Sequence, residues 1–136
     1  MNQNTSYQEW LKQVPDVIKR DSLWNFEVYR KALYLADLAW LDAEALLQDS
    51  RGRSVAWQLV DSAGSVAANI EEGFGRGFGK DYARFLRISL GSAKEARGWY
   101  YRGRHVWPPG LVAKRLALIS EIISGLVITS KQQRQR

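Results

Sequence analysis

The sequence predicts an all-α fold, an antiparallel up-down four-helix bundle with a short N-terminal helical extension. Three observations carry this. Apolar residues recur in steps of three and four along four long segments, the period of an amphipathic helix. No segment alternates apolar and polar residues between hairpin turns. The breaks between segments are short, which makes successive helices antiparallel neighbours. The chain has the length of one ordinary domain, 136 residues, and 46% apolar with 25% charged residues is a globular composition.

Residues 1–20 read as the extension, 21–130 as the bundle and 131–136 as a polar tail. In the extension, residues 6–14 form a short amphipathic helix that Pro15 closes, an arm beside the core. Asp21 or Ser22 offers an N-cap for a helix running to about residue 49. Tyr29, Leu33, Ala36, Trp40, Ala43 and Leu47 make its inward stripe, Val28, Ala32, Leu35, Ala39 and Leu46 lie alongside them, and Glu27, Arg30, Lys31, Asp37 and Glu44 fall opposite. Arg51-Gly52-Arg53-Ser54 ends that helix and caps the next. The second helix, residues 55–72, turns Ala56, Val60, Ala63, Ala67, Ile70 and Phe74 inward. Gly73, Gly75, Gly77 and Gly79 then interrupt any helix. Residues 81–102 form a third, with Tyr82, Leu86, Ser89, Ala93, Ala96 and Tyr100 inward and Phe85 beside them. The Val106-Trp107-Pro108-Pro109-Gly110 break follows, Pro109 suiting a first helical turn. Val112, Leu116, Ile119, Ile123 and Leu126 define the fourth helix. Gly64, Gly91 and Gly98 each cost about 1 kcal/mol relative to Ala inside a helix. Glycines in such places predict close backbone approach, here between the second and third helices.

Composition excludes several classes of function. The chain has no cysteine, so disulfides and thiolate metal sites are ruled out. The N-terminus lacks a basic region followed by an apolar stretch, and no signal peptide is expected. The most apolar stretch, residues 116–128, is too short for a span and is broken by Glu121. A soluble, cytoplasmic protein without a membrane partner is the expectation. Net charge is +6, but its distribution is more informative than the total. Residues 1–72 hold seven Lys/Arg and eleven Asp/Glu, a net of −4; residues 73–136 hold thirteen Lys/Arg and three Asp/Glu, a net of +10. Halves of opposite sign point to an anionic partner or to head-to-tail self-association.

Four constellations invite chemistry. The turn Gly73-Phe74-Gly75-Arg76-Gly77-Phe78-Gly79-Lys80 has the look of a phosphate loop, but Phe74 stands at the first glycine position that motif requires and Asp81 follows Lys80 where it requires Ser or Thr. A dinucleotide fingerprint fails as well, with Phe78 at its third glycine and no strand ahead of it. The turn therefore reads as an interhelical connection. Gln58, Ser62, Ser65, Asn69 and Glu72 form a polar row at helical spacing, either a hydrogen-bonded seam or a ligand-facing row. His105 is the single histidine, which denies the chain the Glu-x-x-His pairs of di-iron bundles; it also lacks a nucleophile or acid nearby in sequence. No catalytic residue, metal site or cofactor is assigned, and an enzyme is not expected. The fourth constellation is basic: Lys80, Arg84, Arg87 and Lys94 share one face of the third helix, with Gly91 where another member would fall. Arg76 precedes the row, and Arg97, Arg102 and Arg104 extend it. Such a row tracks phosphates and displaces counterions, while Trp99, Tyr100 and Tyr101 offer stacking surfaces for unpaired bases. Solvated charge, or a surface that meets acidic residues of another subunit, accounts for the same pattern.

Residues 65–74, Ser-Val-Ala-Ala-Asn-Ile-Glu-Glu-Gly-Phe, resemble a Ser-Val-Pro-Ala-Asn-Ile-Ala-Glu-Gly-Phe signature. Residues 85–95, Phe-Leu-Arg-Ile-Ser-Leu-Gly-Ser-Ala-Lys-Glu, resemble its companion run, and residues 26–33 resemble the opening of the same family. The family is the four-helix-bundle family of 23S rRNA intervening sequences, and the likeness covers about residues 22–128. Ala67 and Glu71 replace its usual proline and alanine, and the first 20 residues are extra. The resemblance implies a ring-like homopentamer. A related group, the accessory variability proteins of diversity-generating retroelements, implies RNA or DNA and a reverse transcriptase as partners. The family resemblance also implies structural roles in helix packing for Ser65, Asn69, Glu72, Gly73, Gly91 and Ser92. The sequence thus leads to a non-enzymatic, oligomeric bundle that binds nucleic acid, RNA or RNA–DNA, through Arg76, Lys80, Arg84, Arg87, Lys94, Arg97, Arg102 and Arg104. The alternative is an interaction scaffold whose charged faces serve oligomerisation or a protein partner.

Overall fold

The computed structural model describes residues 1–136 and is all-helical, with no strand. Two short helices, α1 (Tyr7–Gln13) and α2 (Asp16–Lys19), precede four long ones: α3 (Glu27–Leu47), α4 (Arg53–Gly75), α5 (Lys80–Arg102) and α6 (Pro109–Arg134). Single 3-10 turns at Ser22–Asn25 and Arg104–Val106 lead into α3 and out of α5. No helix is long and apolar enough to cross a membrane.

Consecutive long helices pack on one another, and α3 also packs on α6. Tyr29, near the start of α3, donates a 2.6 Å hydrogen bond to Glu71, near the end of α4. Ser89 of α5 donates to the Val66 carbonyl of α4 at 2.7 Å, and the Gly79 N–H ahead of α5 donates to Gln133 near the end of α6 at 2.9 Å. Between the four helices runs one apolar core that includes Leu35, Leu59, Ile70, Leu86, Ile119 and Leu126. All six inward positions expected on the third helix are buried. In the first stripe Tyr29 and Ala43 are buried and Leu33, Ala36 and Leu47 half-buried, but Trp40 is 72% exposed, because the apolar face of α3 is wider than its buried arc and Leu35, Leu38, Ala39 and Asp42 take the inside. Helix starts differ from expectation too. Asp21 caps the 3-10 turn through the Leu23 N–H rather than α3, and α4 starts after Gly52 without a capping side chain.

Asp42 is the centre of the polar interior. Its carboxylate is fully buried and accepts from Arg115 Nε (2.7 Å) and Nη2 (3.1 Å), the Tyr100 hydroxyl (2.7 Å) and Gln3 Nε2 (2.9 Å). Its backbone carbonyl accepts from Trp107 Nε1 at 3.0 Å. Both carboxylate oxygens are thus saturated, and no buried side-chain nitrogen or oxygen of the protein lacks a partner. Burial, then the neighbouring Asp42 charge, pushes the Tyr100 hydroxyl well above its ordinary value and keeps it a donor. Burial opposes the charge on Arg115, but its hydrogen bond to Asp42 and the attraction between them outweigh this and leave it fully cationic.

The same node holds the N-terminal segment. Arg115 Nη2 donates to the Gln3 carbonyl at 3.1 Å, Tyr34 donates to the Thr5 carbonyl at 2.6 Å, and Trp10 Nε1 donates to Asp37 at 2.7 Å. Trp10 is buried against Tyr34 and Leu38, so the segment is docked rather than a free arm. The second and third long helices approach closely, as expected, but not at the glycines expected, and α3 and α6 do so as well. A Cβ at Gly73 would lie 2.6 Å from that of Phe85, and one at Gly125 would overlap Val28, whereas Gly64 and Gly91 face open space and Gly98 faces the guanidinium of Arg102 on its own helix.

This packing yields three stability predictions. Asp42→Leu leaves Arg115 buried and unpaired and is expected to lose about 3–5 kcal/mol in urea unfolding. Adding Arg115→Leu should restore a large part of that loss. Gly73→Ala overpacks against Phe85 and should cost about 1–3 kcal/mol. Gly91→Ala, with room and a helical backbone, should raise stability by up to about 1 kcal/mol in the same assay.

Candidate nucleic-acid interface

The basic row lies on the outward face of α5 because its apolar residues occupy the other face. With Tyr82, Leu86, Ser89, Ala93 and Ala96 buried, the helical period places Lys80, Arg84, Arg87, Gly91 and Lys94 outside, and each is exposed. From Lys80 to Lys94 the row extends about 21 Å at 1.5 Å per residue. Arg84, Arg87, Ile88, Leu90, Gly91 and Lys94 line a shallow groove of about 430 Å³, and the missing side chain of Gly91 deepens it.

Pairing separates the eight candidate cations. Arg76 bonds Glu72 at 3.0 Å and reaches Asp81 at 3.7 Å; Arg84 meets Asp81 at 3.2 Å. Lys80, Arg87, Lys94, Arg97, Arg102 and Arg104 form no ion pair, although all are exposed. The carboxylates of the second half are committed elsewhere: Asp81 to the two arginines, Glu121 to Lys31 at 2.9 Å, and Glu95 to Trp99 Nε1 at 3.1 Å. Of the thirteen Lys/Arg in residues 73–136, Arg115 alone is buried. The positive half of the chain is therefore positive at its surface.

Aromatic rings accompany these cations. Arg102 lies over Trp99 at 4.5 Å and Arg104 over Tyr101 at 4.2 Å, while Arg76 and Arg84 lie 4.9 and 4.5 Å from the Phe85 ring centre. Tyr100, expected to offer a stacking surface, is fully buried on Asp42 and cannot serve as one. Trp99 is half-buried and Tyr101 exposed.

The other candidate residues lie apart from this face. Ser65 donates to the Asp61 carbonyl and Asn69 to the Ser65 carbonyl, both within α4 and both at 2.8 Å, so this part of the polar row is satisfied along its own helix. Ser62, buried, likewise bonds backward to Gln58 at 2.8 Å. Glu72 is exposed on Arg76, Gly73 is buried against Phe85 and Tyr82, and Ser92 is half-buried. His105 is exposed beside Asp49, Arg51 and Arg102 in a recess of about 300 Å³ at the opposite end of α5 from Lys80. No three His, Asp or Glu side chains gather where they could hold a metal ion. Sequence reasoning passed over Asp42, Arg115 and the exposed Trp57. Asp42 sits at a core-facing helical position, and its identity as a lone acid there is the signal that could have found it.

A family model described as 23S rRNA-intervening sequence protein matches residues 24–106, more than half of the chain. No curated protein and no solved structure gives a significant match. The matched stretch contains α3, α4 and α5 with both families of motif residues, the Ser65–Phe74 segment on α4 and the Phe85–Glu95 segment on α5. The chain belongs to the 23S rRNA-intervening sequence protein family.

Proposed function

We propose that this is a non-enzymatic oligomeric protein, an up-down four-helix bundle, that binds RNA or an RNA–DNA hybrid through the outward face of α5. The observation that carries the reading is the row Lys80, Arg87 and Lys94, exposed on one face and free of carboxylate partners. Unpaired surface cations contribute little to folding, but they displace condensed counterions when phosphates approach. The end-to-start contacts between consecutive helices support the up-down arrangement. The triple charge reversal Arg84→Glu, Arg87→Glu and Lys94→Glu should abolish the shift of a structured RNA at moderate salt and leave the helical circular dichroism unchanged. Binding by the unaltered protein should weaken with salt at a log–log slope of about −3 to −4, four phosphates' worth. Binding by the reversed variant equal to that of the parent would sink this reading.

A second observation favours a protein-contact role for the acidic half. Trp40 on α3 and Trp57 on α4 are 72% and 69% exposed, and Asp37, Glu44 and Asp61 are exposed on the same two helices. Exposed aromatic rings beside acids serve as anchors for a contact with another copy, and a heterologous contact of this kind can close into a ring. A ring of five is the assembly we propose, with a reverse transcriptase as a candidate protein partner. Trp40→Ala with Trp57→Ala should reduce the mass seen by light scattering without lowering the melting temperature. If the α5 reversals reduce that mass equally while RNA binding survives, the basic row serves assembly instead.

A further inference from the structure

The turn between α4 and α5 carries a feature the basic row does not account for. Phe78 is 68% exposed, at the tip of residues 76–79. A single exposed apolar side chain is ordinary. What distinguishes this one is the turn that presents it. Gly77 and Gly79 hold positive φ of 108° and 88°, conformations that side chains disfavour, and they set the turn that projects the ring. The Gly79 N–H is tied to Gln133 Oε1 at 2.9 Å, which fixes the turn to the end of α6. The Arg136 guanidinium lies 4.8 Å from the Phe78 ring centre. Phe85 differs, since both Arg76 and Arg84 crowd its half-buried ring.

Charge surrounds that ring. Arg76 and Lys80 lie two residues to either side, and the end of α6 brings exposed Lys131, Arg134 and Arg136 to the same end of the molecule. Glu72 and Asp81 are both engaged by Arg76, and residues 131–136 contain no acid. A planar apolar ring projected from a turn, with cations at the spacing of neighbouring residues, matches a nucleotide whose base is free to stack and whose phosphates need neutralising. A paired base inside a duplex offers no such face.

We infer that Phe78 is a base-stacking residue and that the tip of the molecule captures an unpaired nucleotide. This rests on the nucleic-acid reading of α5 and narrows it, from phosphate binding in general to nucleic acid with a single-stranded or looped-out segment beside the row. The test compares a fluorescein-labelled single-stranded oligothymidylate with a blunt duplex of equal length, by anisotropy at fixed salt. Phe78→Ala should weaken single-strand binding by about 5- to 100-fold, the range of one base–aromatic stack, and leave duplex binding unchanged. Phe78→Trp should retain single-strand affinity, while Phe78→Leu, apolar but not aromatic, should behave as the alanine variant. The site is exposed, so each variant should keep the parent's melting temperature. Unchanged single-strand affinity in Phe78→Ala, with binding lost in the α5 reversal, overturns this inference and leaves the α5 reading standing. Unchanged affinity in both overturns both. Loss of binding to anionic phospholipid vesicles on Phe78→Ala, with oligonucleotide binding intact, assigns the tip to a lipid surface and also overturns the inference.

Discussion

The Asp42–Arg115 pair is the interaction on which the rest of the structure depends. A carboxylate with no access to water is tolerated when every lone pair is met, and here donors arrive from α5, α6 and the N-terminal segment. The backbone carbonyl of the same residue takes the indole of Trp107, which fixes the connection between α5 and α6. One residue of α3 therefore aligns three other parts of the chain. Apolar packing drives the helices together without a strongly preferred axial position, because leucines and alanines slide past one another at modest cost. A bidentate guanidinium–carboxylate contact does not slide. Asp42 and Tyr100 lie inside the stretch matched to the family, whereas Gln3, Trp107 and Arg115 lie outside it. The pair is thus one of the places where the flanking parts of this chain are joined to the matched part.

How much of this could be read in advance follows from what leaves a periodic trace. The inward face of α5 was legible because one arc of the helix is apolar and the other is strongly charged. α3 was less so: its apolar arc is broader than its contact with other helices, and the stripe through Trp40 lies at the edge of the buried arc, whereas the row of Leu35, Ala39 and Leu46 in which Asp42 stands lies at its centre. Arg115 was illegible for a different reason. A lone arginine on a core-facing position of α6 is explained by a carboxylate 73 residues earlier, and spacing along one helix cannot reveal it. The docking of Trp10 depends likewise on Tyr34, Leu38 and Asp37, side chains that belong to another element. The eight candidate cations all emerged exposed, since charge seeks water by default, but which were already paired was decided by rotamers and neighbouring turns.

Charge is used in two separate ways. Inside, one acid and one base are matched atom for atom and their contribution is to position. Outside, the cations of α5 touch little of the fold, and the exposed ion pairs that do occur each contribute at most about 1 kcal/mol. The two uses do not interfere. The positive surface could be altered widely without disturbing the core, because Arg115 is the one cation of the second half that the interior requires.

Gly64 and Gly91 carry this separation one step further. Each lies within a long helix, where glycine costs about 1 kcal/mol relative to alanine, and at each an added Cβ would meet nothing of this chain within 4 Å. Gly73 and Gly125 differ, since Phe85 and Val28 occupy the space a side chain would need. The interior therefore explains two of these glycines and not the other two. Gly91 interrupts the cationic row on α5, and Gly64 lies on α4, the helix that also exposes Trp57. A helix surface without side chains lets a partner's backbone, ring or phosphate approach more closely than any alanine would permit. The cost of these two glycines is one that no contact within this chain offsets.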